Sequence, residues 1–114
     1  MAHYAFLDDN NIVTEVIVGI NETETIEGLD TEIWYGNFRG QMCKRTSYHA
    51  NIRGKYAGIG DFYNENEDIF IAPQPYKSWV RFGSFWQPPI PYPNEDAKSF
   101  IWDESLIAWV ETSE

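Results

Sequence analysis

Short runs of β-branched and aromatic residues alternate with polar turns along the chain. The stretch YAFLDDNNIVTEVIV, residues 4–18, is the first example, with such residues on both sides of Asp9-Asn10. This pattern predicts two antiparallel strands joined by a tight turn, because Asp and Asn tolerate the positive φ that a two-residue loop needs. In the register that we predict, Asp9-Asn10 forms the loop and Phe6 lies opposite Val13.

Aromatic residues recur seven positions apart at three places in the second half of the chain. Residues with this separation face each other when a two-residue loop closes between them, and each cross-strand aromatic pair stabilises its hairpin by roughly 0.2–1 kcal/mol. The sequence therefore predicts three hairpins, although the chemistry of the third turn is poor and a longer loop is an alternative there. The predicted pairs are Tyr63 with Phe70, Trp79 with Trp86, and Trp102 with Trp109.

A proline pattern overlaps these hairpins as a quasi-repeat. A shift of sixteen residues superimposes Phe70, Pro73, Pro75 and Tyr76 on Trp86, Pro89, Pro91 and Tyr92. Alternate prolines favour extended backbone and remove hydrogen-bond donors, so these segments are predicted to connect hairpins or to form sheet edges.

The chain length of 114 residues is typical of a single domain. We expect a mainly β domain of antiparallel hairpins, with at most one short helix starting near Asp30 as its N-cap. Its segments are an N-terminal hairpin over 1–20, an acidic stretch and a basic glycine-spaced loop over 21–60, and the hairpin quasi-repeats over 61–114.

Charge and cysteine content exclude several classes of protein. The formal net charge of −10 argues against a nucleic-acid partner, because phosphate binding needs clustered Lys and Arg. Cys43 is the only cysteine, so an internal disulfide and multi-thiolate metal sites are excluded. The chain has neither a signal-peptide pattern at its start nor an apolar run long enough for a membrane span, so synthesis in a cytoplasm without membrane insertion is expected.

No pattern of catalytic or metal-binding residues stands out, and we expect neither an enzyme nor a cofactor. His3 and His49 are far apart and are expected to be solvated, and Cys43 is expected to be a small buried hydrophobe. The acidic and amide clusters DDNN, NENED and NED supply oxygens that calcium accepts, but they coincide with predicted turns and fit no EF-hand. Gly54, Gly58 and Gly60 lack the lysine-hydroxyl ending of a phosphate loop and are expected to permit turns.

Two sets of residues remain as candidate binding sites. The first is a basic island holding five of the eight basic residues of the chain, namely Arg39, Lys44, Arg45, Arg53 and Lys55. Tyr76 and Tyr92, which close the two proline segments, are added as interface candidates. The second set, Trp79, Trp86 and Trp102, offers sugar-stacking faces, although burial of these rings and of Trp109 is the favoured interpretation.

Several stretches in order resemble a family of small proteins of tailed bacteriophages, especially marine ones, often described as structural. These stretches are MAHYAFLDDNNIVTEVIVGIN, CKRTSY, YAGIGDFYNENEDIFIAPQPYKSW, PYP and FIWDESLIAWVE, and they are spread along nearly the whole chain. The chain departs from the family pattern in its short loop after CKRTSY and in RFGSFWQPP, where a more acidic hairpin with a cysteine is usual.

The resemblance implies a virion component, made in the host cytoplasm, whose partners are the major capsid protein or tail proteins. A capsid decoration or cement protein is the leading expectation, with the basic island docking on an acidic capsid surface. A symmetric homo-oligomer is one of the expected states, because decoration proteins commonly sit at symmetry axes. The alternatives are a tail accessory protein, an exterior carbohydrate-binding module, and an acidic host-takeover factor.

Overall fold

The computed structural model describes residues 2–21 and 23–112, and they form mainly β structure with a single helix, α1. The predicted fold class is thus confirmed. The chain divides into two compact units, residues 1–73 and residues 74–114. The first unit contains the strands β1 (Ala2–Leu7), β2 (Val13–Gly19), β3 (Thr25–Ile26), β4 (Leu29–Asp30), β5 (Met42–Thr46), β6 (Phe62–Asn64) and β7 (Ile69–Ile71), with α1 (Thr31–Arg39) between β4 and β5. The second unit contains β8 (Val80–Phe82), β9 (Phe85–Gln87), β10 (Phe100–Asp103) and β11 (Ala108–Glu111).

The first unit is built on an antiparallel sheet with the order β2-β1-β5. Successive side chains of a strand point to opposite faces of its sheet, and the central strand β1 is buried on both. On one face Tyr4 and Phe6 pack with Cys43 and with Tyr35 of α1. On the other face, Ala5 and Leu7 form a second core cluster with Val13, Ala57, Tyr63 and Phe70. The sheet is therefore covered by the helix on one side and by the β6–β7 hairpin on the other.

The predicted N-terminal hairpin is confirmed, but its register is wrong. Leu7 pairs with Val13, and a register shift between Phe6 and Leu7 places Phe6 opposite Glu15 instead of Val13. The N–H of Asp8 donates to the Ile12 carbonyl, so the loop contains three residues rather than two. Its last residue, Asn11, has a φ of 63°, which is the left-handed conformation that a three-residue hairpin loop requires at that position.

The helix prediction is confirmed at its start. Asp30 is the N-cap of α1, and its carboxylate accepts a hydrogen bond from the N–H of Glu32 at 3.0 Å. The helix ends at Gly40, which has a φ of 68° and donates its N–H to the Gly36 carbonyl. A Cβ on Gly36 would lie 2.8 Å from the Gln41 carbonyl oxygen, so this position requires glycine for the close return of the chain.

The β6–β7 hairpin has the predicted register, with Tyr63 opposite Phe70 and ring centroids 5.4 Å apart. Its loop comprises residues 65–68 rather than two residues. The hairpin belongs to the first unit, and backbone hydrogen bonds join its start to the β1–β2 hairpin. The Val13 N–H donates to the Asp61 carbonyl, and the Tyr63 N–H donates to the Asn11 carbonyl, both at 2.8 Å.

The second unit contains two separate two-stranded sheets, β8–β9 and β10–β11. The predicted pairing of Trp102 with Trp109 is confirmed, with a four-residue loop at residues 104–107. The predicted pairing of Trp79 with Trp86 is wrong, because Trp86 lies opposite Arg81 and the loop is Gly83-Ser84. Gly83 has a φ of 64°. A two-residue hairpin loop with a single positive φ has glycine at its first position, whereas the loop implied by the predicted register, Phe82-Gly83, has glycine at its second.

Candidate interaction surfaces

The basic island is drawn together in the first unit by ion pairs. Arg53 is the centre, since its guanidinium binds the Glu32 carboxylate at 2.6 Å and the Asp68 carboxylate at 2.8 Å. The same side chain donates to the Arg45 carbonyl at 2.9 Å. These bonds join α1, β5 and the β6–β7 loop, so Arg53 has a structural role.

The other island residues also have acidic or aromatic neighbours within the first unit. Arg45 pairs with Asp30 at 3.2 Å, and Lys44 lies 5.4 Å from the centroid of the Tyr63 ring. The remaining ion pairs join Arg39 to Glu15 and Lys55 to Asp61. Four of the five basic residues are thus neutralised by the fold, which weighs against the island as a docking surface for an acidic partner.

A hydrogen-bonded pair beside Arg53 shifts two pKa values. The Tyr63 hydroxyl donates to the Asp68 carboxylate, and this bond, together with the Arg53 guanidinium, holds the pKa of Asp68 below its usual range. Burial of the phenol and its hydrogen bond to Asp68 raise the pKa of Tyr63 to about 12. Both shifts favour the protonated phenol and the ionised carboxylate, which are the states in which the hydrogen bond between Tyr63 and Asp68 forms.

Cys43 is buried, with 5% of its surface exposed, as the sequence predicted. Burial, reinforced by the nearby Glu32 carboxylate, raises the pKa of the Cys43 thiol to about 12. A thiol with this pKa is almost entirely protonated at neutral pH, and nucleophilic chemistry requires the thiolate. Cys43 therefore acts as a packing residue.

The two histidines differ in their surroundings. His49 is exposed, as expected, whereas His3 is half-buried beside the rings of Tyr48 and Tyr56, with centroids 6.1 and 5.5 Å away. His3 is thus only partly exposed to solvent. The neighbouring tyrosines explain the difference, since β1 places His3 opposite Thr46, directly before the loop that carries Tyr48.

The acidic clusters serve the turns in which they lie. The Asp8 carboxylate accepts the N–H groups of Asn10 and Ile12, and the Asn64 side chain accepts the N–H of Glu67. No group of three or more potential metal ligands occurs among residues 2–21 and 23–112. Gly54 and Gly60 have φ values of 83° and 97°, so the turn prediction for these two glycines is confirmed.

Trp79, Trp102 and Trp109 pack against one another in the second unit. Trp102 is 9% exposed and makes edge-to-face contacts with Trp79 and Trp109, with centroid separations of 5.9 and 5.2 Å. Its indole N–H donates to the Glu104 carboxylate, which also accepts from Ser78, and these bonds lower the pKa of Glu104. These contacts weigh against Trp79 and Trp102 as sugar platforms, because stacking requires a free ring face.

The tyrosine candidates and Trp86 are less enclosed. Tyr76 and Tyr92 are both exposed, although each packs one ring face or edge on a tryptophan, Trp79 and Trp109 respectively. The Tyr92 hydroxyl also accepts the N–H of Phe100 at 3.0 Å. Trp86 is half-buried, on the face of β8–β9 that it shares with Arg81.

The opposite face of β8–β9 is an apolar surface that sequence reasoning missed. It carries Val80, Phe82 and Phe85, which are 62%, 72% and 54% exposed. Phe82 and Phe85 are directly opposite each other beside the two-residue loop, so both rings project from one end of the hairpin. We call these three residues the β8–β9 apolar face.

The helix of the described part of the chain, α1, is not long and apolar enough to span a membrane. Comparison with protein-family models, with curated proteins and with solved structures gave no match.

Proposed function

We propose that this protein is a structural component of a tailed-bacteriophage virion, a decoration protein that attaches to other virion proteins through the β8–β9 apolar face. Two observations support this proposal. The resemblance to small phage structural proteins supports the virion role. The large apolar side chains that the second unit presents to solvent, in the stretch where the chain departs from that family, support the attachment surface. The exposed pair Phe82 and Phe85 is the observation that carries it.

The apolar area of this surface is large enough for its burial to contribute substantially to binding. A fully buried aromatic side chain removes about 200 Å² from water, so the exposed fractions of Phe82 and Phe85 correspond to roughly 250 Å². At about 25 cal/mol per Å², covering this surface is worth roughly 6 kcal/mol before the costs of association are subtracted. Aromatic side chains at the centre of a contact are typical binding hot spots.

The ion pairs of the basic island make it a less suitable docking surface than the β8–β9 apolar face. Arg53 and Lys55 are each 15% exposed at the side chain and already hold carboxylates. Their use by a partner would first require breaking these pairs, which is costly for buried charges. The net charge of −10 keeps the protein soluble in many copies.

The test is cosedimentation of purified protein with particles of the encoding phage that lack it. The double variant Phe82→Ser/Phe85→Ser is expected to lose association with the particles. Phe38→Ser is a matched control because Phe38 is also 72% exposed but lies in α1, and it is expected to associate normally. Lys44→Glu tests the basic island and is also expected to associate.

Three outcomes would contradict this account. Loss of association in Lys44→Glu with full association of the double variant would return the docking site to the basic island. Equal losses in the double variant and in Phe38→Ser would mean that no particular apolar face is used. A wild-type protein that does not associate with particles would remove the decoration role.

A further inference from the structure

The β10–β11 hairpin is a sheet of only two strands, and such sheets are marginally stable in water unless further strands or a packed layer support them. One of its faces packs Trp102 and Trp109 into the core of the second unit. Its other face carries Ile101 opposite Val110, which are 59% and 36% exposed. This hairpin therefore has an apolar outer face without a covering layer in the described residues of its unit.

The hydrogen-bond pattern shows which backbone groups point away from the hairpin. The Thr112 N–H donates to the Ser99 carbonyl at 2.9 Å, so this pair is hydrogen-bonded across the ladder. In an antiparallel pair hydrogen-bonded and non-hydrogen-bonded positions alternate, so Glu111 and Trp109 direct their N–H and C=O groups outward. Phe100, which pairs with Glu111, also directs its N–H outward, on the opposite edge of the hairpin. This N–H donates to the Tyr92 hydroxyl.

The outer edge of β11 is therefore open, whereas that of β10 is partly covered. No described residue accepts the backbone N–H of Trp109 or Glu111. The segment Ala108–Glu111 contains no proline, lysine or bulge, features with which proteins protect edge strands, and Glu111 is its one charged residue.

The first unit shows how this chain protects an edge. The outward N–H of Arg45 on β5 donates to the Glu32 carboxylate at 2.6 Å, and the Arg45 carbonyl accepts from Arg53. Side chains thus occupy the backbone groups that another strand would use. The contrast marks β11 as an edge that is left available.

We propose that β11 pairs with β11 of a second copy of this chain, antiparallel about a two-fold axis at Val110. In this register the outward groups of Trp109 meet those of the partner's Glu111, and the reverse pair forms by symmetry. Val110 then lies opposite the partner's Val110, and the two Ile101 side chains flank them. The result is a four-stranded sheet with a continuous apolar outer face.

The composition of the strand favours a second copy as the occupant. The outward groups at Trp109 and Glu111 are symmetric about Val110, so the edge complements itself without any other sequence. A two-fold axis at Glu111 would place two carboxylates opposite each other, whereas the axis at Val110 separates them. The net charge of −10 on each copy opposes association, so the dimer becomes more stable as salt screens this repulsion.

The proposal is tested by sedimentation equilibrium of the full chain from micromolar to millimolar concentration, at low and at high salt. The wild type is expected to form a dimer whose population rises with salt. Val110→Lys is expected to be monomeric, because two ammonium groups would face each other at the axis. Val80→Lys, the same change on the β8–β9 apolar face, is expected to dimerise normally.

A mixing experiment separates loss of pairing from loss of folding. Val110→Lys and Val110→Glu are each expected to be monomeric, and an equimolar mixture is expected to regain a heterodimer because opposite charges then meet at the axis. A monomeric wild type at high salt, a trimer, a Val110→Lys dimer, or a mixture that stays monomeric would each overturn the proposal. The virion role uses the β8–β9 apolar face, so either proposal can fail without the other.

Discussion

Phe70 is the side chain whose loss tests the described core most sharply. It is fully buried in the first unit, where it packs on Tyr63 across the β6–β7 hairpin and on the sheet residues Ala5 and Leu7. Replacing a buried phenylalanine by alanine costs about 3–5 kcal/mol, because transfer energy is lost and a cavity remains. A domain of this size is stabilised by roughly 6–17 kcal/mol in total, so Phe70→Ala removes a large share.

The assay is urea unfolding followed by far-ultraviolet circular dichroism. With a slope of about 1.5 kcal/mol per molar urea, a loss of about 4 kcal/mol lowers the midpoint by roughly 2.7 M. Phe82→Ala is the matched control, because Phe82 is 72% exposed and its removal is expected to change stability by less than about 0.5 kcal/mol. Phe70→Leu keeps a measurable transition if the alanine variant does not fold. Equal midpoints for Phe70→Ala and Phe82→Ala would refute the described core.

Three further predictions concern single positions of the first unit. Gly60→Ala is expected to cost about 1–2 kcal/mol because of the positive φ of Gly60, whereas Gly58→Ala, whose added Cβ meets only an ordinary contact, should leave the urea midpoint nearly unchanged. Cys43 is expected to react with a thiol reagent at pH 8 only as fast as the protein unfolds, and reaction at the rate of a free thiol would contradict its burial. The raised pKa of Tyr63, about 12, contributes stability that is present below pH 10 and lost as the pH rises towards 12. The stability difference between wild type and Tyr63→Phe should therefore shrink over that range, and a constant difference would show that the phenol is not held as described.

Local signals in the sequence predicted elements where one residue type decides the structure. Asp30 starts the helix because its carboxylate is suited to accept an N–H of the first turn. The pairs Tyr63–Phe70 and Trp102–Trp109 keep their predicted registers even though both loops contain four residues, since an extension of the loop at the expense of the ladder leaves the pairing unchanged.

The register errors arise from turn geometry that aromatic spacing does not encode. In β8–β9, the conformation required at Gly83 moves the loop by one residue and places Trp86 opposite Arg81. Moving the loop by one residue shifts the pairing by two, so Val80 and Phe85 stay on one face, and Phe82 joins them there from its predicted place in the loop. Placing Gly83 at the first loop position would have predicted that Phe82 lies opposite Phe85, on the same face as Val80.

The basic island shows a different limit of sequence reasoning. Its residues are clustered in the chain, but the fold brings each of Arg39, Arg45, Arg53 and Lys55 to a carboxylate that is distant in sequence or across a turn. Glu32 and Asp68, for example, reach Arg53 from α1 and from the β6–β7 loop. Such pairing depends on tertiary structure, so a local excess of positive charge did not reveal it.

The measurement that tests the proposed role most directly is quantitative mass spectrometry of purified virions of the encoding phage, with the copy number expressed relative to the major capsid protein. A decoration protein is expected at a copy number comparable to that of the major capsid protein or a simple fraction of it. A few copies per particle would place the protein in the tail or at a vertex instead. Its absence from purified particles would contradict the virion role and would favour an intracellular function during infection.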